Sequence, residues 1–133
     1  MNLSKKSEYA CLALIDLSEH YQDEAVKIVD ISSRKKIPKK YLEQILLLLK
    51  GAGFVKSIRG ATGGYKLAKA PSLISIAEIL RLIDGPLAPV SSVSKYFYES
   101  TPIEQSTKLV ALFKEIRDYA ANILESTTFN DLI

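Results

Sequence analysis

The sequence predicts a mainly α-helical fold with one small β-hairpin and a long helix near the C-terminal end. Two observations carry this prediction. Apolar residues recur at helical spacing in several segments, and a glycine-rich turn separates two short β-prone runs near the middle of the chain. A third observation concerns size, since 133 residues with 47 % apolar content suffice for one domain, or one domain with an arm, around a single core.

Three helices are predicted in the first part of the chain. Residues 3–20 and the shorter segment 28–35 have apolar side chains at helical intervals. A third helix is expected to begin near Pro38, because proline suits a first helical position, and to end at Lys50 before a Gly-Ala-Gly segment. Two short helices joined by a tight turn indicate a helix-turn-helix. The inner face of the third helix is an apolar stripe of Leu42, Ile45, Leu46 and Leu49.

A predicted β-hairpin follows the helix-turn-helix directly. Residues 54–58 and 65–68 are short strands, and the turn between them contains three glycines. This order of elements predicts a winged helix-turn-helix, with the wing at residues 58–66. A mononucleotide-binding loop is the weaker interpretation, because the turn lacks the spacing Gly-x-x-x-x-Gly-Lys-Ser/Thr and opens no helix.

The second half of the chain is predicted to contain two more helices. Ser75 and Glu78 form a capping box that opens a fourth helix, which ends near Asp84. The residues from Thr101 onward resemble another helix start, and this last helix is expected to run to about Glu125. The final residues after it are expected to form a short docking turn.

We therefore expect three units: a winged helix-turn-helix domain at residues 1–84, a loop at 85–101, and a dimerisation helix with a C-terminal docking segment at 102–133. The last helix has an apolar stripe too wide for a lone arm, so it must pack against a helix of its own domain or of a second subunit. We predict a second subunit, with the dimerisation residues Leu109, Leu112, Phe113, Ile116, Tyr119, Ala120 and Ile123.

Charge is distributed unevenly along the chain. The formal net charge is only +3, yet residues 27–59 contain nine Lys and Arg against the acidic residues Asp30 and Glu43. A basic block within a near-neutral protein indicates a polyanionic partner, although a lysine-rich solvated helix face gives the same count.

The third helix and the wing place candidate DNA contacts close together in the sequence. The N-terminal side chains of such a helix would meet phosphates and base edges in a major groove. An arginine at the base of the wing can reach phosphates or a minor groove, and glycines let backbone N–H groups approach phosphates. The candidates on these grounds are Lys39, Lys40, Glu43, Gln44, Arg59, Gly63 and Gly64.

Four segments of the chain resemble the bacterial Rrf2 family of winged helix-turn-helix regulators. They are residues 3–10 (LSKKSEYA), 41–46 (YLEQIL), 53–68 (GFVKSIRGATGGYKLA) and 126–132 (STTFNDL), so the resemblance covers nearly the whole chain. It implies a sequence-specific DNA-binding regulator, acting as a repressor and as a homodimer on a pseudo-palindromic operator, with the long helix crossing to the partner subunit. The DNA contacts that it implies are Lys40, Tyr41, Glu43, Gln44 and Arg59.

The sequence departs from the family pattern in two places. Cluster-binding members carry three cysteines in the segment that matches residues 85–105, where this chain has none. Because an iron–sulfur cluster requires thiolate ligands, no cofactor and no metal site are predicted, and a site built from Glu8, Cys11 and His20 is the minor alternative. Leu47–Leu48 stand where many relatives have polar or basic residues, so this part of the helix is expected to hold fewer phosphates.

Composition argues against an enzyme and against a membrane protein. One histidine, one cysteine and no metal-ligand spacing leave little material for catalysis. No segment is apolar over the ~20 residues of a membrane span, and no signal peptide or cysteine pair is found, so we expect a cytoplasmic protein. A small-molecule or enzyme co-regulator, or a redox change at Cys11, is left open. The competing hypothesis is a winged-helix adaptor that binds a protein or RNA partner.

Overall fold

The computed structural model describes residues 1–133 as five α-helices and one two-stranded antiparallel sheet, which confirms the predicted mainly α-helical class with a small hairpin. None of the helices is both long and apolar enough to cross a membrane. In chain order the elements are α1 (Lys5–Glu19), α2 (Ile28–Lys35), α3 (Lys39–Gly51), β1 (Val55–Ile58), β2 (Gly64–Leu67), α4 (Ile76–Asp84) and α5 (Thr107–Ser126).

The helix-turn-helix of α2 and α3 follows the sequence closely. α2 covers the predicted residues, and Lys36 ends it in the left-handed conformation with a φ of 55°. Pro38 is the N-cap residue of α3 rather than its first helical residue, because its ψ of 128° keeps it outside the helix. The predicted first position was therefore wrong by one residue.

One hydrophobic core joins α1, α3, α4 and the end of the chain. The whole apolar stripe predicted for the inner face of α3 is fully buried in this core. Ser4 links two helices at the edge of this core. Its hydroxyl accepts a hydrogen bond from the Ser7 N–H at 3.1 Å and donates one to the Asp84 carboxylate at 2.6 Å. These hydrogen bonds connect the start of α1 to the end of α4, and α3 packs against the core that these two helices share.

The hairpin is part of a larger arrangement than the sequence predicted, because a third backbone segment joins it. β1 and β2 pair antiparallel, with Val55 opposite Leu67. Val26, in the connection between α1 and α2, forms a bridge to Tyr65 through two backbone hydrogen bonds of 2.8 Å. The wing is therefore attached directly to the segment that leads into the helix-turn-helix.

The long helix α5 begins later than predicted. Thr101 and Glu104 do form a capping box, but this box opens a 3₁₀ turn at Pro102–Gln105. Ser106 is then extended and caps α5, and its hydroxyl accepts a hydrogen bond from the Leu109 N–H at 3.2 Å. The predicted helix start was wrong by about five residues, because a second cap follows the first.

The last residues of the chain dock on the core. Phe129, in a closing 3₁₀ turn, is fully buried, and its N–H donates to the carbonyl of Ile74 at 3.1 Å. The Ile76 N–H donates to the carbonyl of Thr127 at 3.0 Å. The segment after α5 therefore shares the core that supports α3.

Candidate nucleic-acid interface

α3 has two faces of opposite character. Its inner face supplies four fully buried aliphatic side chains to the core. Its outer face is exposed along its whole length and is polar apart from one leucine. The exposed side chains are Lys39, Lys40, Glu43, Gln44, Leu47 and Lys50.

Ion pairs hold α2 against α1 and so fix the helix-turn-helix. Asp16 on α1 is only 1 % exposed, and Arg34 on α2 contacts both of its carboxylate oxygens at 2.9 Å. Lys35 pairs with Glu19 at 3.1 Å beside them. Arg34 and Lys35 belong to the basic block of residues 27–59, but both form ion pairs within the chain.

The other cations of the basic block stay available to solvent. They lie at the start of α2, on the turn before α3, along α3 and on the wing. None of them forms an ion pair within the chain. They are Lys27, Lys36, Lys39, Lys40, Lys50, Lys56 and Arg59, and all are exposed. Unpaired cations grouped in consecutive elements produce the positive surface that a phosphate backbone requires.

Tyr41 occupies the margin between the two faces of α3. Its ring is half-buried and packs edge-on against Tyr9 of α1, with ring centroids 5.5 Å apart. This packing was not foreseen, because Tyr9 and Tyr41 are distant in sequence. Tyr41 therefore supports α3 on α1, and its contact with DNA stays a prediction.

The wing needs glycines at two positions for steric reasons. A Cβ on Gly63 would lie 2.2 Å from the Ile58 carbonyl oxygen, and a Cβ on Gly64 would lie 2.3 Å from that of Val26. Neither separation is compatible with a side chain, so Gly63 permits the tight turn of the wing and Gly64 permits the close approach of the wing to Val26. Gly63 is also buried, whereas Arg59 and the three residues after it are exposed. DNA contacts from the two glycines stay a prediction.

α5 has one anchored face and one exposed apolar face. Ala121 is buried on the anchored face, where Arg117 donates to the carbonyl of Val93 at 2.9 Å. Arg81 of α4 pairs with Glu125 of α5 at 2.6 Å. Two of the predicted dimerisation residues, Phe113 and Ala120, are half-buried, and the other five are exposed: Leu109, Leu112, Ile116, Tyr119 and Ile123.

The five exposed residues of α5 form a regular seam. They recur at alternating intervals of three and four residues along a helix of 20 residues. This is the a/d spacing by which two α-helices pack side by side. We call these five residues the α5 seam.

The thiol of Cys11 sits in a setting that disfavours ionisation. Burial raises its pKa to about 11, and the nearby carboxylate of Asp84 adds to this rise. Since the thiolate is the reactive form, Cys11 stays protonated near neutral pH. This argues against the redox change at Cys11 that the sequence left open.

Comparisons with known proteins give this arrangement a family. A family model described as "Iron-dependent Transcriptional regulator", Rrf2, matches residues 3–133. The chain belongs to the Rrf2 family. The regulator CymR of Bacillus subtilis is 33 % identical over 132 residues, covering 99 % of this chain and 89 % of that protein. IscR of Photorhabdus laumondii is 32 % identical over 133 residues, covering 100 % of this chain and 79 % of that protein.

Solved structures agree with the family assignment. The structure of B. subtilis CymR, described as a global cysteine regulator, superposes with a TM-score of 0.81 at 32 % identity over 99 % of this chain and 95 % of that one. Rrf2-family members are DNA-binding transcription regulators of the winged helix-turn-helix type and not enzymes. The expectation that this chain is such a regulator, and no enzyme, is confirmed.

The iron in the family's description does not fit the side chains of this chain. Residues 85–105 contain no cysteine and no histidine, and Glu104 accepts from Tyr98 and Thr101. Nowhere do three or more His, Cys, Asp or Glu side chains converge. His20 caps the far end of α1, nine residues and about 13 Å along the helix from Cys11. The alternative site of Glu8, Cys11 and His20 is therefore not assembled within one chain.

Proposed function

We propose that this Rrf2-family protein is a homodimeric repressor that binds a pseudo-palindromic operator. The observation that carries the proposal is the outer face of α3, which is exposed, polar and flanked by unpaired cations. Each α3 lies in a major groove, and the wing reaches the flanking backbone or minor groove. The cytoplasm, where bacterial DNA is found, is its site of action.

The charged and polar side chains on the outer face of α3 follow the order in which a helix entering a major groove meets phosphates and then base edges. Lys39 and Lys40 stand at the start of the helix, where a helix entering a groove passes the phosphates. Glu43 and Gln44 follow one turn later. A glutamine can pair with both major-groove atoms of adenine, and a glutamate can accept from the amino group of cytosine.

The wing, which follows α3 directly in the chain, supplies a second contact with DNA. Arg59 is exposed at the end of β1, and no carboxylate of the chain neutralises it. The bridge between Val26 and Tyr65 holds the wing in register with the helix-turn-helix. An arginine held in this way can insert into a narrow minor groove or bind a phosphate.

Dimerisation is the role we assign to the α5 seam. An exposed apolar stripe on a 20-residue helix is costly in water unless a partner covers it, and a second copy supplies the same stripe by two-fold symmetry. Two subunits present two α3 helices, which suits half-sites about one helical turn of DNA apart. Repression then requires only that the dimer occupy DNA that the polymerase needs.

A salt titration of binding to duplex DNA tests this proposal. Lys39→Ala should weaken binding to all sequences alike and lower the salt slope by about one. Gln44→Ala should cost roughly 1–3 kcal/mol at one base position, and Arg59→Ala should weaken binding on every duplex. If Gln44→Ala and Arg59→Ala both bind operator like wild type, the proposal fails and the adaptor hypothesis gains.

A further inference from the structure

We propose that Leu47 recognises the C5-methyl group of a thymine in the operator, a contact that adds sequence information to the polar face of α3. Leu47 is 62 % exposed, which makes it one of the most exposed large apolar side chains of the chain. It stands among polar residues on the face assigned to DNA. The inference rests on the proposed function and names a base that the face selects.

The core does not require Leu47. The inner apolar stripe of α3 consists of four residues without Leu47, and each of the four is fully buried. At 3.6 residues per turn, Leu47 points about 150° away from the centre of that stripe. A leucine at this position therefore contributes nothing to the packing beneath α3.

The position of Leu47 on α3 places it over base edges. It lies one turn beyond Glu43 and Gln44, between their directions around the helix axis, and two turns beyond Lys40. Three residues of helix advance about 4.5 Å, and one base pair advances about 3.4 Å. Leu47 therefore faces a base pair one or two steps from the pair that Gln44 contacts.

The chemistry of the major groove selects the ligand for this side chain. Thymine presents a C5-methyl group in the major groove, whereas the unmodified forms of the other bases present only hydrogen-bonding groups or C–H edges there. A leucine gains nothing from a phosphate or a base amide, but contact with a methyl group removes apolar surface of both partners from water. 5-Methylcytosine presents the same group and should bind in the same way.

Uracil replacement tests the contact one methyl group at a time. Each thymine of an operator half-site is replaced by deoxyuridine, which removes only the C5-methyl, and dissociation constants are measured for wild type and Leu47→Ala. Wild type should lose about fourfold in affinity at one or two positions, the value of one buried methyl group. Leu47→Ala should show no loss at those same positions.

A matched control and a second variant separate the possible failures. Leu73 is 66 % exposed in the turn before α4, far from α3 in the sequence, and Leu73→Ala should keep the wild-type uracil pattern. If Leu47→Ala also keeps that pattern, the inference is wrong. If Gln44→Ala or Arg59→Ala then still weakens operator binding, the proposed function stands without the Leu47 contact; if both variants bind like wild type, the proposed function and the Leu47 contact fail together.

Discussion

α3 and α5 are both amphipathic helices with one face on the protein, but their outward faces differ. The outward face of α3 is cationic and polar, with Leu47 as its only aliphatic side chain. The outward face of α5 is the apolar seam, with side chains about half exposed at Leu112, Ile116 and Ile123. Two amphipathic helices of one chain thus present outward faces that suit different partners: the face of α3 suits a polyanion, and the face of α5 suits another apolar surface.

The difference shows how one small chain can bind two unlike partners. A surface of unpaired cations gains by displacing counterions from a polyanion, and this gain falls as salt rises. An apolar seam gains by removing surface from water, a gain on which salt has little effect. Each face should therefore respond to its own kind of mutation, and the two responses should be separable.

Breaking the α5 seam should have the largest effect. Placing glutamates at Leu112 and Ile116 introduces four charges into a two-fold interface, which should weaken dimerisation on the order of 1000-fold, about 4 kcal/mol. Sedimentation equilibrium measures the dimer, and operator binding should fall with it. Ala111→Glu, on the same helix but outside the seam, is the control. A double variant that still sediments as a dimer would show that α5 is not the interface.

Removing an ion-paired cation should lower the stability of the fold, whereas removing an unpaired cation should weaken DNA binding. Arg34→Ala leaves the buried carboxylate of Asp16 without its bidentate partner and should cost about 3 kcal/mol of unfolding free energy. Lys40→Ala should change stability by less than about 0.5 kcal/mol and instead lower the salt slope of DNA binding. Urea denaturation and salt titration of both variants check this. Equal stability losses would remove the distinction between structural and DNA-facing cations.

A smaller effect is expected at Asp84, where the end of α4 is hydrogen-bonded to the start of α1. Partial burial by itself raises the pKa of Asp84, but hydrogen bonds from Ser4 and Ser7 outweigh it, so the pKa lies below its usual value. The stabilisation is therefore complete above the unfolded pKa of about 3.9 and is lost as the pH falls through the folded pKa. Asp84→Asn should cost about 1 kcal/mol at pH 7.

The control for this effect is Asp23→Asn, which changes an exposed carboxylate that has no hydrogen bond or ion pair through its side chain. Urea melts at several pH values should show the difference between wild type and Asp84→Asn shrinking below about pH 4. A difference that stays constant down to pH 2 would mean that the charge of Asp84 is not the source of the stabilisation.

The sequence was sufficient where the signal is local. α2 was predicted at its observed bounds, and the buried stripe of α3 was predicted in full, because helical periodicity reports which side faces the core. The capping box at Ser75 was also predicted correctly. A similar box at Thr101 opened only a 3₁₀ turn, since the sequence does not show that Ser106 provides a second cap.

Contacts between distant residues could not be predicted. The pair of Asp16 and Arg34 joins residues 18 positions apart, and nothing in a count of charges indicates which cation is engaged. The bridge of Val26 to Tyr65 is a single residue pair and leaves no periodic pattern. The stripe of α5 predicted packing against another helix, but the division between the anchored face and the exposed seam required the position of α4.

Selection of DNA from a random duplex library tests the central claim most directly, because it requires both faces at once. If α3 binds bases and the α5 seam pairs two copies, the enriched sequences should contain two inverted half-sites centred about 10 base pairs, or a multiple of this, apart. Gln44→Ala should relax one position in each half-site. A lone half-site with no symmetry mate, or no enrichment over random sequence, would contradict the account.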